Sequence, residues 1–140
     1  MSELSEAVGK CLCGGVEIRA SQLSPQLSAC HCSMCRQWAS GPFFALDGQQ
    51  AVRISGEEFI SRYASSEWAE RAFCSQCGPH LFYRLKATDQ QILSAGLFDL
   101  DDELKFDHQI FIDEKPGYYC FAGKAKNMTG AEVFAAFSGE

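Results

Sequence analysis

Long hydrophobic segments are missing from this chain of 140 residues. No apolar run approaches the roughly 20 residues that a membrane-spanning helix needs, so we expect no membrane partner. Residues 1–10 carry Glu3 and Glu6 and lack the apolar core of a secretion signal. We therefore expect a cytoplasmic protein, whose thiols are kept reduced.

Positive charge is also scarce. The chain has 12 lysines and arginines against 18 aspartates and glutamates, which gives a formal net charge of −6. Lys115, Lys124 and Lys126 are too few to form a basic stripe. An acidic chain has no general electrostatic attraction to a phosphate backbone, so we expect no nucleic-acid partner.

Linkers, low-complexity tracts and strong helix signals are few, which predicts one domain over residues 1–140. Short segments of alternating apolar and polar residues dominate instead, as in half-buried strands. Residues 129–132 resemble a capping box before a short C-terminal helix at 133–137, and 99–104 could form a single turn. We predict a mainly β protein of small antiparallel sheets with metal knuckles at their ends. The predicted strands are 16–20, 52–55, 59–63, 81–85, 92–95 and 109–113.

Cysteine is the abundant exception. Seven of the eight cysteines fall into three tight clusters on glycine-bordered or short loop segments. In a reducing compartment such clusters favour a soft divalent ion over disulfides. The clusters are Cys11 with Cys13, then Cys30, Cys32 and Cys35, then Cys74 with Cys77.

The two outer clusters suit a closed, structural zinc site. Cys74 and Cys77 can grip one ion across a tight turn, and the following Gly78 permits the positive φ that such a turn often needs. Cys11 and Cys13 lie at i and i+2, where side chains on a strand share a face. Together the four thiolates complete a tetrahedral site that contributes folding free energy.

The middle cluster suits a catalytic zinc. Cys30, Cys32 and Cys35 offer three thiolates from one loop, which leaves the fourth position open to a ligand. Arg36 lies beside them and could offset the negative charge. Two alternatives remain: a second structural zinc closed by His31, His80 or His108, or a different sharing of sulfurs among the clusters. The second stays open because spacing alone does not determine the pairing.

Other residues have less specific signals. His31 lies between two cysteines whose side chains point at the metal, so its ring is expected to point away. His108 is the best histidine candidate for the pocket, and Cys120 is expected to be a buried apolar residue. Three aromatic residues could wall a ligand pocket, although core packing is the commoner role for each: Trp38, Phe43 and Phe44.

The chain resembles the glutathione-dependent formaldehyde-activating family, which also includes the centromere protein V group. The resemblance covers nearly the whole chain and rests on three cysteine motifs, at residues 9–16, 30–36 and 73–78. It extends to residues 81–83, 96–99 and 108–111. One departure is at Lys115, which a Pro-Gly-Tyr-Tyr segment follows where the family often has a tryptophan.

The resemblance implies a β-tent fold with two zinc ions. It assigns Cys11, Cys13, Cys74 and Cys77 to a structural zinc. It assigns Cys30, Cys32 and Cys35 to a catalytic zinc. It implies a carbon–sulfur lyase-type enzyme that joins a small thiol such as glutathione to an aldehyde such as formaldehyde, giving S-(hydroxymethyl)glutathione. The alternative is a non-catalytic zinc-stabilised domain that binds glutathione or a protein partner.

Overall fold

The computed structural model describes residues 6–100 and 102–137. It is mainly β, with small sheets and two short helices, one of them near the C-terminus, which confirms the predicted fold class. The strands in this part of the chain are β1 Ala7–Lys10, β2 Glu17–Ala20, β3 Gln26–Cys30, β4 Phe43–Asp47, β5 Val52–Ser55, β6 Ile60–Tyr63, β7 Ala69–Cys74, β8 His80–Leu85, β9 Gln91–Ser94, β10 Lys105–Ile110 and β11 Lys126–Asn127. The helices are α1 Ser33–Ala39 and α2 Gly130–Phe137. Neither described helix has the length and apolarity that crossing a bilayer requires.

The described residues form two compact units, and the first contains residues 6–25 together with Leu46–Leu104. It has an antiparallel sheet of order β1-β2-β5 and antiparallel strands of order β9-β8-β7-β6. Alternation is clear in β2, where Ile18 and Ala20 are buried and Arg19 is exposed. Large apolar side chains that are wholly buried here include Val16, Leu23, Leu46, Leu81, Phe82 and Leu93. Burial of each stabilises the unit by about 1.5–3 kcal/mol before chain entropy is counted.

The second unit contains Gln26–Ala45 and residues 105–137. Its strands have the order β11-β10-β3-β4, in which β10 is parallel to both β3 and β11, and β3 is antiparallel to β4. The parallel pairing joins residues far apart in sequence, such as Cys30 and Ile110. It therefore places the end of β3, where the middle cysteine cluster begins, beside the end of β10.

Helix α2 begins as its sequence predicts. The Thr129 N–H donates to Glu132 Oε1 at 2.8 Å, and the Glu132 N–H donates to Thr129 Oγ1 at 3.2 Å. These reciprocal bonds are a capping box and satisfy two N–H groups that have no partner within the helix. The predicted helix therefore exists, although it starts at Gly130 rather than at residue 133.

Other boundaries differ from the predicted ones. The strand predicted at 109–113 runs instead over Lys105–Ile110, because Phe111 has the left-handed φ of 54° and a 3₁₀ turn follows at Ile112–Glu114. The turn expected at 99–104 is present: the N–H groups of Glu103 and Leu104 both donate to the Leu100 carbonyl, and residue 101 lies outside the described residues. Helix α1 was not predicted from the sequence. It spans only seven residues, which is too short for a clear helical pattern.

Candidate metal centres

The first unit brings four cysteine sulfurs together. Cys11 follows β1, Cys13 lies in the next turn, Cys74 ends β7 and Cys77 lies before β8. All four Sγ atoms lie within 4.8 Å of one another, with 3.6 Å between Cys11 and Cys13 and 3.8 Å between Cys13 and Cys74. Four thiolates at the usual Zn–S distance form a tetrahedron with edges of about 3.8 Å. This grouping is the one that the sequence favoured, and its size and donor chemistry fit zinc.

Backbone N–H groups point at the sulfurs of this group. The Val16 N–H reaches Cys11 Sγ at 3.3 Å, the Gly15 N–H reaches Cys13 Sγ at 3.4 Å, and the Cys13 N–H reaches Cys77 Sγ at 3.2 Å. Such bonds favour the ionised sulfur that a metal requires. The turn that carries these donors contains Gly14, with φ of 76°, and Gly78 after Cys77 has φ of 93°, as its position predicted.

The thiols of this group differ in how readily they ionise. Burial opposes ionisation of Cys11, but the Val16 N–H and the neighbouring thiols outweigh it and lower its pKa to about 6. Hydrogen bonding with Cys77 lowers the pKa of Cys74, whereas burial raises the pKa of Cys77 to about 12. Four negative sulfurs cannot coexist at this spacing without a cation, so full ionisation is expected only when a metal is bound.

The second unit brings three sulfurs together. Cys30 is the last residue of β3, Cys32 is the N-cap of α1, and Cys35 lies in its first turn. Their Sγ atoms lie within 4.8 Å of one another, and the Cys35 N–H donates to Cys32 Sγ at 3.4 Å. Cys30 and Cys35 are buried, while Cys32 is only partly so. The group can therefore hold a soft ion, with Cys32 on its more accessible side.

Electrostatics in this group also favour a bound cation. Hydrogen bonds with Cys32 and then Cys35 raise the pKa of Cys30, and burial raises it further. Three ionised sulfurs this close repel one another, and a divalent ion removes that repulsion. The residues present therefore suit a metal site of three thiolates.

His31 does not join the sulfurs, which agrees with its predicted orientation. Its ring is fully buried, with Nδ1 at 2.8 Å from the Tyr119 hydroxyl and Nε2 at 2.7 Å from Gln109 Oε1. Burial lowers the pKa of His31, and the positive charges of Lys115 and Arg36 lower it further. A neutral ring with both nitrogens bonded to protein tethers the loop that carries Cys30 and Cys32.

The other two histidines lie on strands. His108 lies within β10 and its Nδ1 is 3.0 Å from Asp107 Oδ2, while His80 opens β8. Among the described residues, no histidine nitrogen belongs to either sulfur group. The alternative of a histidine-closed second site thus finds no support in the described part of the chain, and His108 as a pocket residue stays a prediction.

Arg36 is close to the middle cluster through the backbone. Its Nε donates to the carbonyl oxygen of His31 at 3.0 Å, which holds the guanidinium on the cysteine loop. Gln109 and Tyr119, by contrast, are residues that the sequence reasoning missed. Tyr119 lies in the unusual Pro-Gly-Tyr-Tyr segment and Gln109 in the resemblance at 108–111. Neither pattern indicates a bond to His31, because hydrogen bonds across so many residues have no local pattern.

The expectation for Cys120 was wrong. Its side chain is exposed rather than buried, because it lies in an irregular segment after Tyr119 rather than on a core strand. The three aromatic residues named in the sequence analysis pack against other rings. Phe43 is buried against Trp38, with ring centroids 5.1 Å apart, while Phe44 is 38% exposed and packs 5.5 Å from Phe121.

A family model described as glutathione-dependent formaldehyde-activating enzyme matches residues 6–114, which is well over half of the chain. The chain belongs to this family. Its three cysteine motifs, and all seven sulfurs described above, lie inside the matched region.

Two curated proteins and one solved structure are similar to this member of the family. A Schizosaccharomyces pombe protein named an uncharacterized lyase is 39% identical over 131 residues, covering 93% of this chain and 96% of that protein. A Halomonas elongata protein, provisionally named a glutathione-dependent formaldehyde-activating enzyme, is 31% identical over 83 residues, covering 53% of each chain. The crystal structure of a Rhodobacter sphaeroides protein has a TM-score of 0.57 at 23% identity, covering 66% of this chain and 87% of that one, which supports the fold alone.

Proposed function

We propose that this protein is a zinc-dependent, carbon–sulfur lyase-type enzyme that joins a small glutathione-like thiol to a formaldehyde-like aldehyde. The observation that carries the proposal is the group of three sulfurs, Cys30, Cys32 and Cys35, with Cys32 partly exposed. Family membership and the lyase name of the Schizosaccharomyces pombe relative support the reaction class. The product would be an adduct of the S-(hydroxymethyl)glutathione type.

The three sulfurs would hold zinc and leave one position for the thiol substrate. Zinc bound there would supply a positive charge that keeps a thiol ionised at neutral pH. The thiolate sulfur attacks the carbonyl carbon, so that a C–S bond forms as the C=O π bond breaks, and the oxygen takes up a proton equivalent to the one that the thiol lost on ionising. The addition involves no net oxidation or reduction, so neither an oxidant nor a reductant is needed.

The protein's own residues would contribute positioning and charge. His31 anchors the cysteine loop through Gln109 and Tyr119, which limits movement of the adjacent sulfurs. Arg36, held by its bond to the His31 carbonyl, would offset the negative charge of three thiolates and an incoming fourth. Cys30 and Cys35 are buried, which limits the access of water to their sulfurs.

The four-sulfur group would have a structural role. Cys11 and Cys13 lie more than 60 residues from Cys74 and Cys77, as the separation of 61 between Cys13 and Cys74 shows. A zinc ion closed by four thiolates would cross-link β1 to the end of β7 and contribute to folding. We therefore propose two zinc ions per chain, one structural and one catalytic.

The decisive experiment compares Cys32→Ser with Cys120→Ser, the second being an exposed cysteine outside both groups. Zinc content is measured by mass spectrometry, folding by circular dichroism, and adduct formation from glutathione and formaldehyde by NMR exchange. Cys32→Ser should lose one zinc, keep its fold and lose all acceleration over the spontaneous reaction. Cys120→Ser should match the unchanged protein in all three.

Two results would contradict the proposal. If the unchanged zinc-loaded protein never accelerates adduct formation, it is a non-catalytic, zinc-stabilised domain that binds glutathione or a protein partner. If Cys32→Ser keeps full acceleration, the three-sulfur group is not the reaction site.

A further inference from the structure

The turn that follows β10 provides a carboxylate to the start of each described helix. The Ser33 N–H, the first of α1, donates to Glu114 Oε1 at 2.9 Å. The Gly130 N–H, the first of α2, donates to Asp113 Oδ1 at 2.8 Å. The first N–H groups of a helix have no acceptor within the helix, so each carboxylate satisfies one of them. Two neighbouring residues thus make the same kind of bond to two different helices, of which only α1 carries cysteine.

The bond to Glu114 holds the cysteine loop immediately after Cys32. Cys32 is the partly exposed member of the three-sulfur group, and Ser33 is the next residue. On the other side of Cys32, the His31 N–H donates to the Ile110 carbonyl oxygen at 3.1 Å. The backbone on both sides of Cys32 is therefore bonded to the end of β10 and the turn after it. The His31 bond uses a carbonyl that any residue has, whereas the Ser33 bond depends on the Glu114 side chain.

The backbone of Glu114 is itself held in place. Phe111 turns the chain out of β10 with a left-handed φ of 54°, which is unusual for a bulky residue. The Glu114 N–H donates to the Phe111 carbonyl oxygen at 3.0 Å, and the Ile112 N–H donates to that of Met128 at 3.0 Å. The Phe111 ring packs against Phe134 of α2, with ring centroids 5.6 Å apart. A strained backbone conformation that such contacts maintain points to a functional constraint on the residues beside it.

We propose that Glu114 is a positioning residue of the three-sulfur group. Its carboxylate holds the Ser33 N–H and so fixes where Cys32 Sγ lies relative to the other two sulfurs. A metal ion held by few ligands is sensitive to such supporting bonds, because they orient the ligands and limit their movement. The effect of Glu114 on bound zinc is independent of the reaction, whereas its effect on adduct formation rests on the proposed function.

The test compares Glu114→Ala with Asp113→Ala in the zinc-loaded, full-length protein. The two variants are matched, because each removes one carboxylate from the same turn and one bond to the start of a helix. Release of zinc to a coloured chelator is followed by absorbance, and the phase that belongs to the three-sulfur group is the one that Cys32→Ser lacks. Glu114→Ala should release that zinc about tenfold faster and form adduct about tenfold more slowly. Asp113→Ala should change neither rate.

Two further variants test the bond itself, and circular dichroism checks that each is folded. Glu114→Gln removes the negative charge but keeps an oxygen that can accept the Ser33 N–H, so it should behave as the unchanged protein. Ser33→Pro removes the N–H at the first position of a helix, which proline suits, and Cys32 already has the extended φ of −63° and ψ of 156° that proline favours before it. Ser33→Pro should release zinc as fast as Glu114→Ala. The double variant should release it no faster than either single variant, because both remove the same bond.

Three results would overturn the proposal. Equal zinc release from Glu114→Ala and Asp113→Ala would make the Glu114 bond an ordinary helix cap. A Glu114→Gln protein that behaves like Glu114→Ala would mean that the charge matters and the bond does not. A release profile without a phase that Cys32→Ser removes would leave Glu114 no bound zinc to support. If the unchanged protein does not accelerate adduct formation, the proposed function fails, but the comparison of zinc release still decides the role of Glu114.

Discussion

The Nε2 atom of His31 lies 2.7 Å from Oε1 of Gln109. Because Gln109 Nε2 donates to Asn127 Oδ1 at 3.2 Å, the amide oxygen faces the ring and His31 Nε2–H is the donor. His31 Nδ1 then accepts from the Tyr119 hydroxyl at 2.8 Å. A histidine between two clustered cysteines is thus bonded to β10 and to the Tyr119 segment, not to the sulfurs.

This arrangement predicts the effect of Gln109→Leu. The substitution leaves a buried N–H of His31 without a partner, which should lower the free energy of unfolding by about 1–3 kcal/mol. Urea unfolding of the zinc-loaded protein measures the change. Gln37→Leu alters an exposed glutamine on α1 and should change stability by less than about 0.5 kcal/mol. Equal losses of unfolding free energy in the two variants would show that the His31–Gln109 bond does not stabilise the protein.

Cys77→Ser should destabilise the protein through loss of the proposed structural zinc. A serine hydroxyl binds zinc far more weakly than a thiolate, so about one ion per chain should be lost together with its contribution to folding. Zinc analysis and thermal unfolding test this, with Cys120→Ser as the matched exposed cysteine. A soluble, fully stable Cys77→Ser protein would rule out the structural role.

Gly56→Ala should be among the most damaging small substitutions. Gly56 has φ of 89°, and an added Cβ would lie 1.9 Å from the Gly15 carbonyl oxygen. Left-handed strain alone costs about 1–2 kcal/mol, and the backbone clash adds to it. Since the Gly15 N–H donates to Cys13 Sγ, the same change should loosen the four-sulfur group.

The matched control for this prediction is Gly117→Ala, where the added Cβ meets nothing within 4 Å and the φ is ordinary. Thermal unfolding and retention of zinc against a chelator compare the two variants. Similar behaviour of both would mean that β5 shifts to accommodate the methyl group.

Glu70 is expected to account for part of the protein's loss of stability in acid. Burial opposes its ionisation, but hydrogen bonds and charge from Arg84 and Arg62 outweigh burial and lower its pKa below 4.5. A lowered folded-state pKa gives stability that is present above pH 4.5 and is lost as the pH falls through the folded value. Glu70→Gln should therefore be less stable than the unchanged protein at neutral pH, and the difference should shrink in acid.

Urea unfolding as a function of pH measures this difference. Glu58→Gln, at an exposed glutamate on the 3₁₀ turn Glu57–Phe59, serves as the control because both variants remove one negative charge. Superimposable pH profiles for the two variants would contradict the assigned role of Glu70.

The fold class followed from local patterns that the structure confirms. The alternation predicted for 52–55 coincides with β5, and the capping box at Thr129 and Glu132 forms as its spacing indicates. Helix α1 escaped prediction because its N-cap is Cys32, a residue type that carries no standard start signal. The end of β10 was missed because the left-handed φ of Phe111 is unusual for a bulky residue.

The sequence by itself determined the donor chemistry: clustered thiols, glycine-bordered turns and short amphipathic strands are local properties of neighbouring residues. Only the tertiary structure decided which sulfurs meet, since Cys13 and Cys74 approach to 3.8 Å through strand register rather than spacing. It also decided that His31 is tethered to Gln109 and that Cys120 is exposed. These relationships depend on burial and hydrogen bonding between distant segments, for which a one-dimensional pattern has no signal.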